Sequence, residues 1–151
     1  MNHSIKKYNS LKSHVVLLDY ENIESLEEYL LLSSGIIEEL LKFYIEILLK
    51  KEQKTNKILS YINKSGFNNL IYHVYLSNLI EENIFNRLMR FKNNRNNWSH
   101  IYFKEKNKIN FEELIEDVEF ILNCFECKIE AILYSDNPLN IEPKTSINHK
   151  I

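Results

Sequence analysis

Four apolar residues in a row, Val15, Val16, Leu17 and Leu18, run straight into Asp19, Glu21 and Asn22. A continuous apolar run of this kind fits a strand buried on both faces of a parallel sheet, because a half-exposed strand would alternate. The polar cluster then falls at the carboxyl edge of the sheet, where open α/β folds bind ligands. A carboxylate in that place loses hydration and needs a partner, a proton or a metal, which makes Asp19 the first candidate functional residue. The same Asp also fits a plain helix cap, so its position alone leaves both readings open.

Scarce glycine narrows the chemistry. With 2 Gly and 2 Pro in 151 residues, the chain has neither a GxGxxG nor a GxxxxGK[ST] phosphate loop, and nucleotide cradles of those types are excluded. The length suits one domain with its own core, and 44% hydrophobic residues with 12% aromatic mark it as globular. A formal net charge of -2 supplies no global attraction to nucleic acid, which leaves a local basic patch as the only electrostatic route. No apolar run is long enough to span a membrane, and MNHSIKKYNS does not read as a signal peptide. The expectation is therefore a cytoplasmic protein with no membrane partner. Cys124 and Cys127 have CxxC spacing without a second pair or a nearby histidine cluster. They read as small apolar helix residues, with a zinc or redox role left open.

Residues 1–13 are polar and read as an N-terminal arm, 14–137 as the folded domain and 138–151 as a C-terminal tail. After the first strand, Ile23 to Leu32 reads as a short helix stopped by Ser33, Ser34 and Gly35. Ile36, Ile37, Leu40, Leu41, Tyr44, Ile45 and Leu48 then follow a 3.6-residue period, which predicts a helix over 36–50. A further helix is expected over 57–64, with Ser65-Gly66 as its stop. LIYHVYL at 70–76 is rich in aromatic and β-branched residues and predicts a second strand. A helix over 79–91, a solvated KNNRNN turn and a third strand over 98–103 follow. Asn110 stands three residues before Glu113, as in a capping box, and opens a helix over 111–125. IEAILY at 129–134 predicts a fourth strand. Alternation of this kind implies a Rossmann-like, three-layer α/β/α domain around a four-stranded parallel sheet.

In such a sheet Asp19 and Asp136 would project from neighbouring strand ends and share one hard cation. Glu113 and Asp117 lie four apart on one helix face, flanked by Glu116 and Glu119. Converging carboxylates repel one another, and Mg²⁺ or Mn²⁺ relieves that repulsion and activates water for attack on phosphate. For each glutamate taken singly, an ordinary solvated helix face is the simpler reading; Asp117 is the exception, because it sits beside the apolar Leu114 and Ile121 stripe.

LLDYENI at 17–23 resembles the opening motif of NYN domains, the PIN-like metal-dependent ribonucleases. KNKINFEEL at 106–114 and LYSDN at 133–137 resemble, more weakly, later segments of PIN-like proteins. The resemblance implies a metal-dependent endoribonuclease fold, with Asp19, Asp117 and Asp136 as Mg²⁺ or Mn²⁺ ligands and Asn22 positioning substrate or water. RNA would approach over Lys104, Lys106 and Lys108, with Arg87, Arg90, Lys92 and Arg95 along the same edge. Asn110 replaces the family's usual Asp and the SDN motif is shortened, so the implied site is degenerate and its activity is left open.

Two other readings share the scaffold. Asp19, Ser77-Asn78, Lys104 or Lys106, and Asp136-Asn137-Pro138 look similar to the motifs of haloacid-dehalogenase-like phosphatases, although Glu21 stands where that mechanism needs an Asp. The third is a non-catalytic protein-binding module of the immunity, antitoxin or phage-defence type, using the α/β scaffold only as a surface.

Overall fold

Along the segment read as the second strand, the buried side chains are Phe67, Leu70, Ile71 and Val74. That is the three-and-four spacing of a helix face, not the alternation of a strand. The same rule holds along the rest of the chain. The computed structural model describes residues 2–19, 23, 25–51, 56–100 and 110–135, and among them there is no strand. Six helices follow in order: α1 (Asn2–Val15), α2 (Leu26–Lys51), α3 (Asn56–Lys64), α4 (Phe67–Leu76), α5 (Glu82–His100) and α6 (Phe111–Leu133). The expected Rossmann-like, PIN-like α/β/α domain with a parallel sheet is therefore replaced by a helical bundle.

Each expected strand has a specific correction. Val15 is the last residue of α1, while Val16 and Leu17 sit in the turn beyond it with 76% and 59% of their surface exposed. A buried parallel strand would have hidden both. The LIYHVYL run belongs to α4, and the fourth strand is the last turns of α6, where Ile129 and Leu133 extend the buried series Ile121, Leu122 and Phe125. Of the third strand, residues 98–100 close α5 and 101–103 lie outside the described residues. β-branched and aromatic side chains disfavour a helix by only a few tenths of a kcal/mol each, about a tenth of what burying one contributes.

Helix boundaries were also extended. α2 runs straight through Ser33-Ser34-Gly35. Ser33 Oγ donates to the Tyr29 carbonyl at 2.6 Å, so the buried hydroxyl is satisfied within its own helix. α5 starts at Glu82 and continues through KNNRNN. The stretch read as an arm forms α1, whose Tyr8 is 1% exposed and stacks on Phe43 of α2. Other terminators stand as read. Ser65 and Gly66 separate α3 from α4, and Asn110 caps α6 by accepting from the Glu113 amide at 3.1 Å. Ser25 does the same for α2 through the Glu28 amide. At the end of α4, Asn78 adopts φ 59 while Leu79 N–H reaches the Val74 carbonyl and Asn78 N–H the Tyr75 carbonyl. This is a Schellman closure with Asn in the left-handed position.

α2 is the central helix. It packs against α1, α3, α4 and α6, while α5 packs on α4 and α6. Ile37, Leu40, Leu41 and Ile45 are its core stripe, each at most 2% exposed. Tyr44 meets Phe125 edge to face and donates its hydroxyl to the Leu79 carbonyl at 2.9 Å, which ties the α4–α5 turn to the bundle. Among the described residues, no helix is long and apolar enough to cross a membrane.

Candidate functional site

The bundle places the expected site residues apart from any shared strand edge. Asp19 lies exposed in the α1–α2 connection, where its carbonyl accepts from Ile23 N–H at 3.1 Å. Asn22, Asp136, Lys104, Lys106 and Lys108 lie outside the described residues. Asp117 is fully buried on α6 and faces α5. Arg87 Nη1 donates to its Oδ1 at 3.0 Å, while Arg90 donates Nε to Oδ2 at 2.7 Å and Nη2 to Oδ1 at 2.6 Å. The two-pronged Arg90 contact uses the guanidinium geometry that best fits a carboxylate, and it holds Arg90 above its usual pKa. Arg90 also reaches Glu113 at 3.4 Å, and the Arg87 guanidinium lies 4.7 Å from the Phe120 ring centre.

This cluster joins α5 to α6. Its carboxylate is saturated with donors from its own fold. The other basic residues read as an RNA edge are likewise engaged: Lys92 with Asn68 at 2.8 Å, and Arg95 with Ser34 Oγ at 2.9 Å and the face of Phe67. The described residues contain no group of three or more His, Cys, Asp or Glu placed to hold a metal. Cys124 and Cys127 lie on α6 without forming a disulfide, and burial raises the Cys124 pKa.

The opposite flank of α6 is built differently. α1, the connection after it, α2 and α6 enclose a cleft of about 230 Å³, lined by Val15, Leu18, Tyr29, Val118, Leu122, Glu119, Asn123 and Glu126. Helical spacing explains the lining, since Val118, Leu122 and Glu126 are successive four-residue steps along one face. Glu119 and Asn123 form the parallel row beside them. Tyr29 is 1% exposed and meets the Phe111 ring edge to face. Burial first, and then the charge of Glu119, raise its pKa well above the phenolic value.

Glu126 has no cation within salt-bridge distance among the described residues, and burial raises its pKa. The nearby Lys12 pulls it back down in part. Lys12 itself is engaged with Glu130 at 3.3 Å, and Glu130 also accepts from the Tyr8 hydroxyl at 2.6 Å. Charge therefore accumulates at the cleft without a matching donor. Glu119 is exposed, as a solvated helix flank is expected to be, while Tyr29, an ordinary apolar helix position in the sequence, lines the cleft. The available signal for Glu126 is its four-residue step from Leu122 on one helix face.

A second exposed feature lies at the α4–α5 corner. Tyr75 stacks on Phe85 with ring centres 4.0 Å apart, Tyr72 tilts onto the same ring at 5.6 Å, and Leu76 is 75% exposed. It is an apolar surface with no buried polar group to orient a ligand.

Compared with known proteins, the chain matches no family model, no curated protein and no solved structure.

Proposed function

We propose that this chain is a helical binding module that holds a small ligand in the cleft between α1, α2 and α6. The observation that carries this reading is the cleft itself, an apolar wall of Val15, Leu18, Val118 and Leu122 beside which Tyr29 and the half-buried Glu126 are set. Glu126 has no cation at salt-bridge distance among the described residues and burial holds it above its usual pKa, so a ligand that meets it gains a contact the fold leaves open. The cavity is below the size that drug-like molecules occupy, so it suits a metabolite-sized compound. The nuclease and phosphatase readings needed neighbouring strand ends, and the described residues contain none.

The test is a ligand screen by amide NMR on the full chain, with small organic cations, anions and neutral compounds. At least one class is expected to give saturable shifts confined to the amides of Leu18, Tyr29, Leu122 and Glu126. Asn123→Trp, which blocks the cleft from its exposed rim, is expected to abolish them. Saturable shifts that survive this substitution, or that centre on Asp117, would place binding elsewhere.

A further inference from the structure

We infer that α1 is a latched lid: it opens as a unit of its own, with the Tyr8–Glu130 bond as the latch, and takes one wall of the cleft with it while the rest of the bundle stays folded. Its relevance to a ligand rests on the cleft reading; the opening itself does not. How α1 is held is the first reason. Its inward face runs through Ser4, Tyr8, Leu11 and Val15 at helical spacing, and among its described residues only Ser4 and Tyr8 are buried. By contrast α6 buries Leu114, Val118, Ile121, Phe125 and Ile129 among others. The remaining ties of α1 are ion pairs at its rim, Lys7 with Glu46 at 3.2 Å and Lys12 with Glu130 at 3.3 Å, whose lysine side chains are 43% and 44% exposed. Water screens such pairs, so they add little. Holding α1 therefore falls to Tyr8, whose ring stacks on Phe43 of α2 while its hydroxyl donates to Glu130 Oε2 of α6 at 2.6 Å.

Length is the second reason. A helix of 14 residues is marginal by itself in water, so α1 loses its backbone hydrogen bonds once it leaves its seat. Undocking and unwinding are then one event, which amide exchange in α1 reports. The seat survives, because α2 and α6 pack directly on one another, as at Tyr44 and Phe125. Opening carries Val15, and Leu18 in the turn beyond it, off the cleft and leaves Tyr29, Val118 and Leu122 in place on the other two walls.

The experiment is native-state hydrogen exchange on the full chain without ligand, followed amide by amide by NMR. After correction for intrinsic rates, the amides from Tyr8 to Val15 are expected to exchange together, more than about tenfold faster than those of Leu40, Leu41 and Phe125. Tyr8→Phe should speed α1 exchange about fivefold, the weight of one hydrogen bond. Ile84→Val trims a buried α5 side chain and should speed exchange at Leu40, Leu41 and Phe125 by about the same factor. It should leave α1 unchanged, because opening the lid does not break that core. Both substitutions are conservative enough to keep the fold. If α1 exchanges no faster than the core and follows it in Ile84→Val, α1 is no separate unit and the proposal is overturned. An unchanged α1 rate in Tyr8→Phe would overturn it too, by removing the latch. Neither result depends on whether the cleft finds a ligand, which the ligand screen decides by itself.

Discussion

The two flanks of α6 carry the same functional group under opposite conditions. Toward α5, Asp117 is completely buried and receives three guanidinium hydrogen bonds, so the carboxylate has nothing left to offer a ligand. Toward α1 and α2, Glu126 is only half-buried, yet it lacks a cation at salt-bridge distance among the described residues. The comparison shows that burial of an acid does not by itself mark a site. What matters is whether the protein's own donors satisfy it, because a satisfied buried charge holds helices together while an unsatisfied one is open to a partner.

Removing each charge should separate the two flanks. Asp117→Asn removes the charge and replaces one of the two acceptor oxygens with an amide donor facing the guanidinium groups, and is expected to cost about 3 kcal/mol in urea denaturation. Glu126→Gln, one helix face away, should change stability by less than about 0.5 kcal/mol. Similar losses from both would erase the distinction. Tyr8→Phe takes the hydroxyl from Glu130 and should cost about 1 kcal/mol in the same assay, since the carboxylate then loses its 2.6 Å donor.

Gly35 provides a check on α2, the wall that carries Tyr29. It is exposed in mid-helix, and a Cβ there would meet nothing within 4 Å. Gly35→Ala should therefore raise stability by about 0.5–1 kcal/mol, whereas a true helix break at this point would give no gain.

The smallest effect concerns pH. Burial holds Glu126 above its ordinary value of 4.5, so the folded chain retains that proton more tightly than the unfolded chain. Its contribution favours folding below 4.5 and is lost as pH rises through the raised folded value. Glu81 has the reverse sign. The Lys128 hydrogen bond lowers its pKa, so its contribution is present above 4.5 and is lost as pH falls through the lowered value. Glu126→Gln should remove the first slope from a stability-against-pH series and leave the second.

Helix ends and the long apolar stripe were legible because their causes are local. Asn110 with Glu113, Ser65-Gly66 and the 36–50 periodicity each specify backbone geometry from a few neighbouring residues. The sheet was misread because Val15–Leu18, LIYHVYL and IEAILY have strand-like compositions. In α4 and α6 their buried positions continue helical spacing begun outside each run: Phe67 before Leu70, and Phe125 before Ile129. Reading each run in isolation hides that continuity. Leu114 and Ile121 beside Asp117 signal its burial, but no sequence pattern reveals that Arg87 and Arg90, 30 and 27 positions earlier, occupy both its oxygens. Likewise, the cleft that Tyr29 lines depends on three helices meeting, which no local pattern records.

The Tyr8–Glu130 bond joins residues 122 positions apart, linking the first described helix to the last. The cleft draws its walls from those same two helices, with α2 between them. On a ribosome, the cleft therefore has no precursor: it is completed only once α6 has emerged and returned to α1. A nascent or truncated chain lacking either helix lacks a wall of the cleft, so the cleft's formation reports that two distant segments of the bundle have met.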